Sequence, residues 1–202
     1  MYNVKPTSWF VIGFAMSSDK ITSRQRIIDA AINIAINQGP KTLTLDKVAS
    51  DCAMSKGGVM HYFKNKEMLL EALLDNLMDT VKSYEGGISN DYDNLLPISR
   101  MLRTRQRVHE HVNLDYARIL LVAATENPEL LHSVKAHMEE FEQELQGEPQ
   151  LYFDSLLLWL AIDGLSFQEL LSVSPFSENQ RNSIRNKLIS MAESLGETTG
   201  EN

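Results

Sequence analysis

The chain is 202 residues long and 43% hydrophobic, with one cysteine and a formal net charge of −8. That length allows one domain of ordinary size, or a small one beside a medium one, and the apolar share is enough for a packed core. A single cysteine excludes a disulfide framework and fits a cytoplasmic protein, and no stretch approaches the roughly 18 apolar residues of a membrane span.

Residues 1 to 20 read as an N-terminal extension. The run from Trp9 to Met16 is apolar but short, and Met16 is read as the start, with residues 1 to 15 an upstream arm. Thr22 and Gln25 fit a capping box, and Ile27, Ile28, Ala31, Ile34 and Ala35 follow at helical spacing. Gly39 and Pro40 stop that helix. Thr44 then caps a short helix with Leu45, Val48, Ala49 and Cys52 on its inward face. Ala53 and Met54 make a turn, and Ser55 caps a second helix of barely two turns, from Lys56 to Tyr62. A helix that short is marginal alone, so its use is to present side chains and backbone. The second helix of a helix-turn-helix does this in the DNA major groove.

The residues of that segment point to the same chemistry. Gly57 and Gly58 let backbone approach a partner closely, and the helix start at Lys56 favours a phosphate. His61 and Tyr62 fall on the outer side, within reach of bases or phosphates. Lys66 opens the following helix as a phosphate contact, and Thr44 can donate to a phosphate while it caps. The expected DNA contacts are therefore Thr44, Lys56, Gly57, Gly58, His61, Tyr62 and Lys66. The charge distribution agrees. Residues 1 to 81 carry nine Lys/Arg against eight Asp/Glu, whereas residues 82 to 202 carry ten against nineteen. Residues 41 to 66 hold five lysines against Asp46 and Asp51. Phosphate binding depends on this local field, because salt screens the distant acidic part.

Asn65 can cap a long helix bearing Met68, Leu69, Ala72, Leu73, Leu77 and Val81. Helix, stop, helix-turn-helix and long connecting helix together resemble the N-terminal domain of the TetR family of bacterial transcriptional repressors. The resemblance is carried by Leu43-Thr44-Leu45 with Val48-Ala49, by Ser55-Lys56-Gly57-Gly58, by His61 through Glu67, and by Leu69-Leu70. It spans about residues 21 to 81, with the helix-turn-helix at about 44 to 63. Ala53 stands where the family usually has a turn glycine, and Met60 where an aromatic residue often touches a phosphate. The resemblance implies an all-α fold: an N-terminal three-helix DNA-binding domain over 21–81 and a C-terminal helical ligand-binding and dimerisation domain over 82–195. Residues 196 to 202 form a polar tail.

In the second part, residues 85 to 93 are turn-rich and mark the end of the connecting helix. Helices are expected at about 94–110, 115–126, 128–146, 149–172 and 177–195, punctuated by Asn127-Pro128, Gly147 with Pro149, and Pro175. The stretch from Leu151 to Leu171 is apolar nearly all round, so it must be covered on more than one side. By the resemblance, the last two helices, about 149–195, pair with a second copy in a homodimer. Large aromatics and methionines on separate helices suggest an apolar pocket for a small-molecule effector, uncharged or cationic. Its candidate residues are Met101, Glu126, Phe141, Trp159, Asp163 and Phe167, with Asp163 or Glu126 the polar anchor.

His109 and His111 are two apart, and His132 and His137 five apart; neither spacing stacks ligands on one helical face, so no metal or other cofactor is expected. Arg100, Arg103, Arg105 and Arg107 read as solvated arginines paired with the acidic surface. No nucleophile elbow, phosphate loop or zinc-helix motif is present, so no enzyme is expected. The function read from the sequence is a homodimeric transcriptional regulator, a repressor released from a palindromic double-stranded DNA operator by a small molecule. The alternative is an all-helical dimeric interaction protein that has lost DNA binding.

Overall fold

The computed structural model describes residues 22–91 and 95–198; the N-terminal extension, the expected start at Met16 and the last residues of the tail lie outside them. Among the described residues every regular element is helical, as the apolar spacing predicts. Helix α1 (Ser23–Gln38) starts at Thr22, whose hydroxyl accepts from the Gln25 backbone N–H at 3.2 Å. Only that half of the capping box forms, because the Gln25 amide turns forward to donate to Asp29. Gly39, at φ 85°, ends α1 and leads into a 3-10 turn, Pro40–Thr42.

Helices α2 (Leu45–Asp51) and α3 (Lys56–Tyr62) follow, then the long α4 (Lys66–Asp91). Their shared core is fully apolar: Ile27, Ile34, Leu43, Val48 and Val59 close on Leu69, Leu70, Leu73 and Leu74 of α4. Each such side chain contributes about 1.5–3 kcal/mol on burial, far more than a two-turn helix gains from its own backbone. The same core continues beyond the connecting helix. Helices α6 (Leu114–Ala117) and α7 (Ile119–Glu126) insert Tyr116, Ile119, Val122 and Ala123 into it. The Tyr116 hydroxyl donates to the Leu73 carbonyl at 2.7 Å and lies 3.0 Å from Asn76 Oδ1.

A second core joins α5 (Pro97–His111), α8 (His132–Leu145), α9 (Tyr152–Leu170) and α10 (Glu178–Thr198) through Ile98, Leu102, Leu145, Leu158, Ile162, Leu165 and Ala192. The arginine run of α5 departs from the expected solvated face. Arg100 pairs with Glu144 of α8, Arg103 with Glu193 of α10, and Arg105 lies 3.4 Å from Asp163 of α9. The run fastens one helix to three others.

Two boundaries also differ. Helix α4 does not end at residue 85 but passes through Gly86 and Gly87 to Asp91. Two helical glycines cost about 1 kcal/mol each, which does not interrupt a helix already propagating from a packed face. The expected helix 115–126 splits at Arg118, whose guanidinium donates to the Leu170 carbonyl at 2.9 Å and to Ser172. No helix among the described residues is long and apolar enough to cross a membrane.

Candidate nucleic-acid interface and candidate ligand cavity

The helix-turn-helix is closed by local chemistry that the sequence announces. Thr44 Oγ1 accepts from the Lys47 N–H at 3.2 Å, and Ser55 Oγ from the Gly58 N–H at 3.0 Å. Between the two helices, Ala53 sits at φ 52°, the left-handed region that glycine occupies freely, at a cost of about 1 kcal/mol. The turn holds because the Met54 N–H reaches back to the Ala49 carbonyl at 2.9 Å, and Arg26 donates to the Cys52 carbonyl at 2.9 Å.

This frame leaves one face of α3 in solvent. Thr44, Lys56, Gly57, His61 and Tyr62 are exposed, and Gly58 is half-buried. The His61 and Tyr62 rings meet edge to face at 5.2 Å. Gly57 has no backbone need to be glycine: its φ is ordinary, and a Cβ there would come no closer than 4.0 Å to Ser55 Oγ. A Cβ at Gly58 would crowd Ser55 Oγ at 3.3 Å and Met54 Cε at 3.4 Å. Lys56 pairs with Asp46 at 2.9 Å on the open surface, an interaction worth under about 1 kcal/mol and easily given up to a phosphate. Lys66 is different. Its ammonium is half-buried and pairs with Glu126 at the end of α7.

The second region holds a partly open cavity of about 530 Å³ lined by helices α4 to α10. One wall is apolar, with Leu77, Met78 and Val81 of α4 facing Val112, Leu120, Val134 and Met138. The other is polar, with Arg105, His109, Gln168, Glu169, Ser174 and Arg181. Glu169 organises that wall. Its carboxylate takes Arg181 Nε at 2.6 Å on one oxygen and the buried Arg185 guanidinium on the other. His109 stands 3.8 Å from it, and burial, with Arg185 second, lowers the imidazole pKa.

The six residues expected to line a pocket do not line one cavity, although Met101, Phe141, Trp159 and Asp163 are neighbours. Met101 and Phe141 line a smaller cavity of about 370 Å³ between α4, α5 and α8. Glu126 is engaged with Lys66. Trp159 packs edge to face on Phe141 and donates its indole N–H to Asp163 at 2.7 Å, so this pair closes on itself. Phe167 is on the outer surface. The residues missed were Glu169, Arg181 and Arg185, although a signal existed. Along α9 the buried stripe Ser155, Leu158, Ile162, Leu165 continues in phase to Glu169, and along α10 Arg181 and Arg185 continue in phase to Leu188 and Ala192. Charges in register with an apolar stripe are placed inside. The histidines do not converge: His132 lies by Glu71, His137 by Glu85 and His109 by Glu169.

Known proteins resemble the chain in both regions. Residues 27–73 match the family profile described as bacterial regulatory proteins, tetR family, and residues 99–193 match the tetracyclin repressor-like C-terminal domain. The HTH-type transcriptional regulator SrpR of Pseudomonas putida is 28% identical over 116 residues, covering 55% of this chain. The match spans about half, 51%, of SrpR's own length. A solved transcriptional regulator from Rhodococcus sp. shares the fold at a TM-score of 0.67 and 19% identity, over 85% of this chain and 96% of that one. The multidrug binding protein EbrR complexed with ethidium shares it at 0.56 and 21%, over 82% of this chain and 96% of EbrR.

Proposed function

The chain belongs to the TetR family of transcriptional regulators, and from that premise we propose that it is a homodimeric, ligand-responsive repressor of a palindromic operator. A DNA-binding regulatory role comes with the family; the contacts, the dimer and the effector are our reading. The observation that carries it is α3: a two-turn helix, exposed along one face, that opens with Lys56 and with Gly57, where the fold itself has room for a side chain. A glycine that costs helix stability without being needed by packing is best accounted for by a partner backbone that must come close. Lys56, Thr44 and Lys66 would hold phosphates, and His61 and Tyr62 would reach base edges. Residues 21–81 form the DNA-binding domain in this reading, and 82–195 the effector and dimer domain.

A homodimer is supported by the outer face of α9. Phe153 is 76% exposed and Leu160 68%, with Leu157 and Phe167 on the same stripe and Met191 exposed on the neighbouring α10. Isologous pairing of these helices would cover an apolar surface that a monomer leaves in water. Trp159 and Leu170 of the same helix turn inward, so Leu157 and Leu160 would make the contact.

The effector would occupy the 530 Å³ cavity, a size that suits a small organic molecule. Helix α4 is the coupling element, since its first half packs on the helix-turn-helix and its Leu77, Met78 and Val81 form the cavity wall. A ligand that displaces this wall shifts the spacing of the two recognition helices, and by linkage DNA and ligand each weaken the other's binding. The test is a gel shift with DNA flanking the protein's own gene. Sequence-specific retardation that survives competitor DNA is expected. Its absence from folded dimer would favour the interaction protein that has lost DNA binding.

A further inference from the structure

We propose that the cavity takes an amphipathic carboxylate, its acid group held by Arg105 and its tail against the apolar wall of α4 and α8. This deepens the effector reading above and depends on it for the site, though not for the charge. The starting observation is the state of the one anionic side chain on the lining. Both oxygens of Glu169 are occupied, one by Arg181 and one by Arg185. A cationic ligand would have to displace a buried arginine to reach it. The lining then carries two arginines, Arg105 and Arg181, against that single glutamate, beside His109 and His137. A cavity with a net positive lining and low-dielectric walls attracts an anion, whatever the charge of the outer surface.

Arg105 is the cation left underused. Among the described residues its one ion pair is the 3.4 Å approach to Asp163, whose other oxygen already accepts from Trp159. Its Nε is the atom that makes this long approach without completing a hydrogen bond, and it has no other partner among the described residues. A planar guanidinium with unfilled donors facing a cavity is matched by a carboxylate, which can take two of them side by side. Two further atoms of the same wall, Gln168 Oε1 and Ser174 Oγ, are likewise buried without partners. The Ser174 hydroxyl can donate to the acid, and so can the Gln168 amide after exchange of its O and N positions. Leaving such groups dry is costly, so a polar ligand group is their natural complement. Opposite them, Leu77, Met78, Val81, Leu120, Val134 and Met138 offer only carbon and sulfur, which calls for a hydrocarbon tail. The charge is the reverse of that suggested by the acidic composition of the second half, because composition averages a surface while the cavity is set by the few side chains that line it.

The experiment uses the full chain and a matched set of probes, octanoate, octanol and octylammonium, followed by titration calorimetry and thermal shift. Octanoate should bind saturably and at least tenfold more tightly than octylammonium. Arg105→Met should weaken octanoate about tenfold or more, the size of a charge-assisted pair, while octanol affinity stays unchanged and reports an intact cavity. Arg105→Lys, which keeps the charge but not the fork, should fall between them and serves if the methionine variant does not fold. Leu120→Trp, which fills the apolar wall, should abolish both ligands. Tighter binding of octylammonium, octanoate affinity unaffected by Arg105→Met, or no saturable octanoate binding overturns the proposal. Octanoate that binds through Arg105 but leaves operator DNA bound upholds the ligand class and sinks the regulatory reading. Octylammonium that binds more tightly and releases DNA does the opposite.

Discussion

The two cores differ in what they admit. The one built on α1 to α4 is apolar but for the hydrogen-bonded Tyr116 hydroxyl, whereas the buried polar residues Ser99, Thr104, Ser155 and Arg185 lie on the helices of the other. The outsides differ in the opposite sense. The exposed large hydrophobics of the first region are Met60, Tyr62 and Met68, near α3, whereas α9 and the loop after it expose Phe153, Leu157, Leu160, Phe167, Leu171 and Val173. A region whose work is done on its surface can keep a clean interior. In the proposed reading the second region holds a ligand inside and a second copy outside, which would account for polar groups within and apolar groups without. Burying Arg185 and Glu169 costs desolvation that their mutual pairing offsets, helped by Arg181 on Glu169 and by Asn182 on Arg185.

The largest effect should come from breaking that pairing. Glu169→Leu strands Arg185 at 3% exposure and should lower stability by about 3–5 kcal/mol in denaturant titration. Arg185→Leu should cost less, since Glu169 keeps Arg181. If both variants melt like the wild type, the interior of the second region is as permissive as a surface and the contrast fails. Next is the outer face of α9. Leu160→Glu should leave helix content intact but weaken the dimer by about 2 kcal/mol or more, as loss of a central apolar anchor does. Light scattering reads this directly, and a wild type that is monomeric would remove the partner from the argument. Third, on the first region, Tyr62→Ala or Lys56→Ala should weaken operator binding by about 1–3 kcal/mol with melting unchanged, and the lysine variant should lower the salt slope by about one unit. Unaltered affinity in both would move the interface off α3.

Smaller still, Ala53→Gly should stabilise the first region by up to about 1 kcal/mol, because glycine accepts φ 52° without strain. The gain shows as a higher melting temperature, and a loss would mean that the freedom glycine adds to the unfolded chain outweighs the strain it relieves. The smallest effect is that of His109, whose pKa burial depresses below its ordinary value of 6.5. Below that pH the unfolded chain takes up a proton that the folded one resists, so stability should fall as pH drops and recover above it. His109→Gln should flatten the slope modestly, as the side chain is partly exposed. An unchanged slope would remove His109 from the polar wall's energetics.

What the sequence determined on its own is what local chemistry determines. Caps at Thr22, Thr44 and Ser55 hydrogen-bond within three residues, apolar spacing in α1 and α4 sets which face is buried, and Ala53 falls where a two-helix turn needs a left-handed residue. These interactions are short in sequence, so they can be read there. The tertiary structure alone decided which side chains meet. Trp159 looked like a pocket wall but spends its indole on Asp163, and Glu126 looked like an anchor but holds Lys66. The arginines of α5 looked solvated, yet each of Arg100, Arg103 and Arg105 reaches a different helix. Composition shows that the second half is acidic but not how its charges pair. Glu169 is silenced by arginines that follow it by 12 and 16 residues across a loop, a pairing fixed by how α9 and α10 dock and by nothing local in either helix.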